Sequence, residues 1–398
     1  MLPFAYGRSY GDSCLNDGGL LLDVQRLDRL IAFDEAQALL RCEAGVTLAE
    51  ILALVVPRGW FLPVVPGTRW VSVGGAVAND IHGKNHHRAG SFGAHVTRLE
   101  LLRSSGERVV CGPGDELFHA TVGGLGLTGL ILWVEIRLKR IPGPAITVQR
   151  IRFGGLEHFF ELAAEDAHHE YTVAWVDCLA RGRRLGRGLY LRGDHAPSDG
   201  AVASPLRPAR FRVPVDAPPG LLNGLTVGLF NGVYYRSQLG TTRRATVPYV
   251  PFFFPLDNVG DWSRLYGPNG FVQYQCVVPD EPGGGAIRVL IDRISRSGEP
   301  AALAVLKRFG AMSSPGLLSF PRPGLTLAVD FAMRGRSTLT LLEELDAVVR
   351  DARGAVYPAK DARMSPESFR AYFGGLERFT RLRDPRFSSS FWRRVHGD

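Results

Sequence analysis

Short apolar runs separated by polar turns dominate the first 140 residues. "GGLLLDV" (18–24) and "IAFDEAQALLRCEAGV" (31–46) read as strands broken by turns. "TLAEILALVVPRG" (47–59) changes period and reads as a helix. Thr47 and Glu50 form a capping-box pattern ahead of its apolar positions, and Pro57 and Gly59 close it. "WFLPVV" (60–65) returns to a strand, and "VTRLELLRSSGERVVCG" (96–112) reads as two strands joined at a Ser-Gly turn. "DELFHATVGG" (115–124) predicts a short helix and "LTGLILWVEIRLKRI" (127–141) a long strand. Further on, "LTLLEELDAVVRDARG" (339–354) is an amphipathic helix ended by Gly354, and Ser365 caps another. Strands and helices mixed in this order predict an α+β chain.

At 398 residues the chain is long enough for two domains. Composition shifts around Pro142 and Pro144, which marks a boundary. The expected division is 1–141, 142–354 and a C-terminal segment, 355–398, returning to the first domain. With 45% hydrophobic and 22% charged residues the chain is expected to fold. The formal charge of +8 suits an anionic partner, but no long Lys/Arg run points to nucleic acid. Five scattered cysteines, none in C-x-x-C, argue against a disulfide framework or zinc knuckle. No apolar run reaches membrane-spanning length and no leader peptide precedes the first motif. The expected location is cytoplasmic or peripheral at the inner membrane.

Candidate chemistry centres on "NDIHGKNHHRAGSFG" (79–93). His82 and His86 have the i, i+4 spacing of a zinc helix, but Gly83 stands where a metalloprotease needs Glu, and no Cys or acidic cluster adds ligands. No metal is expected. "GLGLTG" (124–129) satisfies G-x-G-x-x-G, yet a helix precedes it and a strand follows, the reverse of a dinucleotide fingerprint. Three loops, "GRSYGD" (7–12), "PGTRWVSVGG" (66–75) and "NDIHGKNHH" (79–87), are rich in glycine and small polar residues. Together they would offer main-chain N–H groups to a pyrophosphate without a Rossmann helix.

These loops, with "TVGGLGLTGLI", "YGPNGFVQYQ" and "YPAKDAR", resemble the vanillyl-alcohol-oxidase-like (PCMH-type) flavoproteins, and among them the enzymes that oxidise polyprenylphosphoryl-β-D-ribose. The resemblance runs from Pro3 almost to the C-terminus. It implies a two-domain PCMH-type FAD-binding fold with a mixed α/β substrate domain on an antiparallel sheet. It also implies that Gly7, Arg8, Ser9, Tyr10, Gly11, Asp12, Gly67, Ser72, Val73, Gly74 and Gly75 wrap the FAD pyrophosphate. Asn79, Asp80, Ile81 and His82 pass along the flavin ring, and Ile131 and Tyr357 contact the cofactor. The first loop has no His, so the implied FAD is non-covalent. Lys360, His82 and Tyr10 are the implied catalytic residues. Gln273, Gln275, Lys307, Trp175 and Phe309 would line the substrate side.

The implied reaction removes hydride from C2 of polyprenylphosphoryl-β-D-ribose, within an epimerisation toward cell-wall arabinan precursors that a partner reductase completes. The basic aromatic stretch 217–256 suits peripheral contact with a membrane. Two alternatives stand beside this reading: an oxygen-using alditol or sugar-lactone oxidase, and an inactive truncated relative that only binds partners. The second is raised because relatives carry a strand–helix–strand unit ahead of the first loop. Ala328, Thr326, Phe253 and Val173 replace Cys, Asn, Tyr and Ser of other members, which bears on the exact substrate.

Overall fold

The computed structural model describes residues 1–197, 206–207, 209–238 and 240–397. Residues 198–205, inside the span expected for the second domain, lie outside it. Two antiparallel sheets organise the chain. The first has five strands in the order Leu30–Asp34, Leu39–Glu43, Leu130–Arg137, Val96–Leu102, Arg108–Cys111. Helix Leu48–Val55 packs on it. Its capping box forms in full: Thr47 Oγ1 accepts from Glu50 N, and the Glu50 carboxylate accepts from Thr47 N. Such caps stabilise a helix by about 1 kcal/mol. Leu40, Val46, Ile51, Leu52, Leu99 and Val134 are fully enclosed in this core.

The second sheet has eight strands, ordered Thr242–Pro248, Ala145–Phe153, Gly188–Ala196, Tyr171–Val176, Ala301–Phe309, Gly324–Ala332, Phe271–Val278, Ala355–Val356. Every pairing is antiparallel. The period of two decides what each face does. Tyr274, Cys276, Ala304, Leu306, Leu327 and Val329 point into a core shared with helices Gly285–Ser297 and Arg336–Asp351. Their neighbours Gln273, Gln275, Val305, Lys307 and Ala328 point the other way, into a cavity.

After its last strand the chain turns back. Ser390 N donates to Leu15 O, Arg394 forks onto Asp12, and Asp384 accepts from Ser104 N. The segment 355–398 is therefore bonded to residues 12–17 and to 104. The mixed helix and sheet content is α+β, as the pattern implied. Two local readings differ. Only Trp60–Phe61 of the 60–65 run pairs as strand, with Lys139–Arg140, because Pro63 has no N–H to extend the ladder. The 336–351 helix ends before Gly354: Arg353 takes the left-handed turn at φ +55°. Gly354 instead allows close packing, since a Cβ there would lie 2.3 Å from Val277 O. No helix among the described residues is long and apolar enough to cross a membrane.

Candidate functional site

A cavity of about 1080 Å³ lies between the loops of the first part of the chain and the open face of the eight-stranded sheet. Gly7, Arg8, Ser9, Tyr10, Gly67, Ser72, Gly74, Gly75, Asn79, Ile81, His82 and Ile131 line one side. Trp175, Gln273, Gln275, Lys307, Tyr357 and Lys360 line the other. Gly126 and Gly129 of "GLGLTG" also reach it, with a helix before and a strand after that turn.

Five of the residues expected to touch cofactor or substrate do not line the cavity. A Cβ on Gly11 would sit 1.7 Å from Asp361 O, so this glycine lets the first loop press against the 358–362 turn. Asp12 pairs with Arg394 at 2.7 Å. Val73 is fully enclosed in the core. Asp80, at φ +39°, accepts from Gly93 N and Ser319 Oγ behind the wall, and desolvation raises its pKa to about 6. Phe309 packs edge-on to His82, ring centroids 4.9 Å apart, and props that ring.

The amides divide into two sets. Val73 N, Gly74 N and Gly75 N already donate to Val46 O, Ala44 O and Ser72 Oγ. Among the described residues, no acceptor meets the main-chain N–H of Gly7, Arg8 or Gly67. Gly67 has open space where a Cβ would stand. These unmet donors on glycine turns fit a diphosphate.

His82 sits where the walls meet. An isolated bridge to Ser91 fixes its backbone. Its Nδ1 lies 3.2 Å from Lys307 Nζ and its Nε2 lies 2.9 Å from the Gln275 amide. Desolvation, then Lys307, pushes the His82 pKa well down, so the ring is neutral. A neutral imidazole has one N–H and one lone pair. Gln275 Nε2–H donates to His82 Nε2, which leaves Nδ1 to carry the ring proton and to meet Lys307 as the neutral amine that its lowered pKa makes accessible.

Three lysines share the enclosure. Desolvation lowers Lys307 to about 7, with Lys84 and Lys360 adding repulsion. Desolvation also lowers Lys84 and Lys360, each to about 8. Lys84 Nζ donates to Phe253 O at 3.0 Å. Lys360 Nζ lies 3.8 Å from the Tyr10 ring centroid, a cation–π contact. Asp330 faces this group and favours the charged Lys360. Its own pKa rises to about 6 by desolvation, against bonds from Gln273 and Tyr266 and the field of Lys360. Sequence reasoning missed Asp330. Its signal was a lone carboxylate inside the apolar run "GLTLAVDFA", where a buried charge is costly.

The turn 357–361 ties the two walls together. Tyr357 N donates to Gln275 O, Tyr357 OH donates to Asn79 O, and Tyr10 N donates to Ala359 O, each at 2.9 Å. His86, the other half of the supposed metal pair, packs tilted against Phe309 with ring centroids 4.1 Å apart and accepts from Gly310 N. Among the described residues the two histidines belong to no cluster of three metal-ligating groups.

Comparison with known proteins places this geometry. The FAD binding domain family matches residues 1–112. The chain is 38% identical over 406 residues to the decaprenylphosphoryl-β-D-ribose oxidase of Mycolicibacterium smegmatis, covering 98% of this chain and 87% of that protein. The chain belongs to that family of FAD-dependent oxidoreductases. An uncharacterised protein of Streptomyces coelicolor is also 38% identical, over 88% of this chain and 100% of its own length. The human Delta(24)-sterol reductase shares 28% over 141 residues, 35% of this chain and 27% of that protein. The family's cofactor is FAD, and the unmet amides of Gly7, Arg8 and Gly67 lie in the segment matched to its binding domain.

Proposed function

We propose that this flavoprotein oxidises the C2 hydroxyl of a polyprenylphosphoryl-β-D-ribose to a ketone. The observation that carries the reading is the cavity's chemistry: largely apolar walls enclosing Lys84, Lys307 and Lys360, with Asp330 close to Lys360 and Asp257 on the lining beside Arg8. Enclosed cations are costly unless a ligand supplies negative charge. A lipid-linked sugar phosphate offers both the anion and the apolar tail.

In this reading residues 1–141 with 355–398 form the FAD-binding domain and 142–354 the substrate domain. Gly7, Arg8 and Gly67 hold the diphosphate non-covalently. Gly11, Asp12, Val73 and Asp80 shape the wall from behind. Bound FAD supplies the acceptor for the hydride and its two electrons. Lys360 sets a fixed positive charge beside Tyr10 and stabilises negative charge that develops during transfer. His82, held by Lys307, Gln275 and Phe309, keeps a ring nitrogen at the wall junction. Gln273, Gln275 and Trp175 orient the sugar. The hydroxyl proton passes to solvent water as C2 loses its hydrogen with the electron pair, and the C2–O bond becomes a carbonyl. A separate reductase would return hydride to the other face and complete an epimerisation.

Anaerobic mixing of the yellow protein with polyprenylphosphoryl ribose tests this. Bleaching of the flavin band with appearance of a 2-keto sugar is the expected result. Bleaching by free alditols or sugar lactones alone would replace it with the oxygen-using oxidase reading. A purified chain that takes up no FAD would leave only a binding role.

A further inference from the structure

Helix Gly224–Arg236 has an outer face that no described residue covers. Leu225, Leu229 and Val233, at i, i+4 and i+8, are 82%, 69% and 62% exposed. Phe230 beside them is 58% exposed and also lines the cavity, as does Tyr234. The opposite face is docked: Val227 and Asn231 are buried, and Asn231 Nδ2 donates to Asp177. A row of apolar side chains presented by a helix that is already anchored marks an interaction surface.

The surroundings name the occupant. Arg150 lies 4.9 Å from the Tyr234 ring, and Arg152 and Arg187 lie 5.6 and 4.7 Å from the Tyr235 ring. Arg150 Nε and Nη2 are shut away without a hydrogen-bond partner. Exposed Arg243 stands directly opposite Arg150 on the edge strand, next to exposed Arg244. No acidic residue occurs from 217 to 256. Arg187 is already forked onto Asp177, so the exposed Arg243 and Arg244 supply the free charge. An apolar stripe beside these two matches an anionic bilayer, whose lipid tails take the stripe and whose headgroups take the Arg243 and Arg244 guanidinium groups.

We propose that this helix lies in the plane of an anionic membrane and sets the cavity mouth at Phe230 and Tyr234 against the lipid. Delivery of substrate through that mouth rests on the lipid-linked substrate proposed above; the membrane contact does not. The apolar face gives depth, and Arg243 and Arg244 give preference for anionic lipid.

Flotation of the FAD-loaded protein with phosphatidylcholine vesicles, with and without phosphatidylglycerol, tests the contact. The protein should float with the anionic vesicles and weaken as salt rises. The combined variant Leu225→Ser, Leu229→Ser, Val233→Ser should bind at least roughly tenfold less, while its yellow colour and melting temperature stay as in wild type. Arg243→Ser with Arg244→Ser should lose roughly tenfold on anionic vesicles and nothing on neutral ones. Oxidation of a short-chain, water-soluble analogue should be unchanged in the triple variant. Wild-type protein that fails to float, or a triple variant that floats equally well, overturns the proposal. So does a face that pairs with a second copy or a reductase and never with vesicles. Flavin bleaching in detergent reads the reaction separately, so the two failures are told apart.

Discussion

The cavity's two walls are built in opposite ways. The first is made of three loops, 7–12, 66–75 and 79–84, and its glycines bring backbone to the cavity. The second is one face of a sheet. Trp175, Val305, Ala328 and Gln275 stand side by side only because antiparallel register aligns four strands spread over about 150 residues of the chain. The first wall supplies main-chain donors, and the second supplies side-chain charge and shape. The 357–361 turn joins them, carrying Tyr357 and Lys360 and bonding to both sides. Chemistry therefore depends on how firmly that turn holds the walls in relation to each other.

The sharpest break is at the turn's charged group. Lys360→Ala should keep FAD bound but slow substrate-driven bleaching by about 10²–10³, since a preorganised charge has no substitute in a desolvated site. Anaerobic stopped-flow measures this, and normal bleaching would remove Lys360 from the mechanism. Gly11→Ala attacks the same turn from behind. Its Cβ would overlap Asp361 O, so the turn must shift and carry Lys360 with it. A displacement of this order costs roughly 10² in rate. An unchanged rate in a variant that melts normally would show that the turn is not the link between the walls.

Smaller effects are expected on the sheet wall. Gln275→Ala removes one partner of His82 and should cost about tenfold in kcat/KM, the scale of a single hydrogen bond. Asp330→Asn tests sign rather than size. The Asp330 carboxylate raises the Lys360 pKa, and without it the ammonium loses its proton at lower pH. If catalysis needs the charged lysine, activity falls as pH rises through about 8, and in the variant that limb moves down. A limb that stays in place or moves up would separate Asp330 from Lys360.

The same contrast explains what could be read from the residues. The loop wall was legible because its requirement is local: glycine and small polar residues recur over ten-residue spans. Even there one letter covers two roles, and Gly11 lies outside the cavity lining. Gly74 and Gly11 are glycines for packing, against Ala44 and Asp361. The helix at 48–55 was legible for a similar reason, its cap lying three residues from its partner. The sheet wall was not legible by pattern. Lys307 and Asp330 sit in strands whose alternation looks like ordinary core until register shows which face is open. Gln273, Gln275 and Trp175 came from family resemblance, not from spacing. Asp330 came from neither, and for helix 224–236 composition marked the stretch 217–256 but not which face is uncovered, because both depend on what surrounds them in space.

The central claim is that the joined walls present C2 of a lipid-linked ribose for hydride removal. A single anaerobic turnover with substrate carrying deuterium at C2 tests it most directly. The account predicts a keto product that has lost the deuterium, formed more slowly than from unlabelled substrate. A product that keeps the C2 deuterium would contradict it.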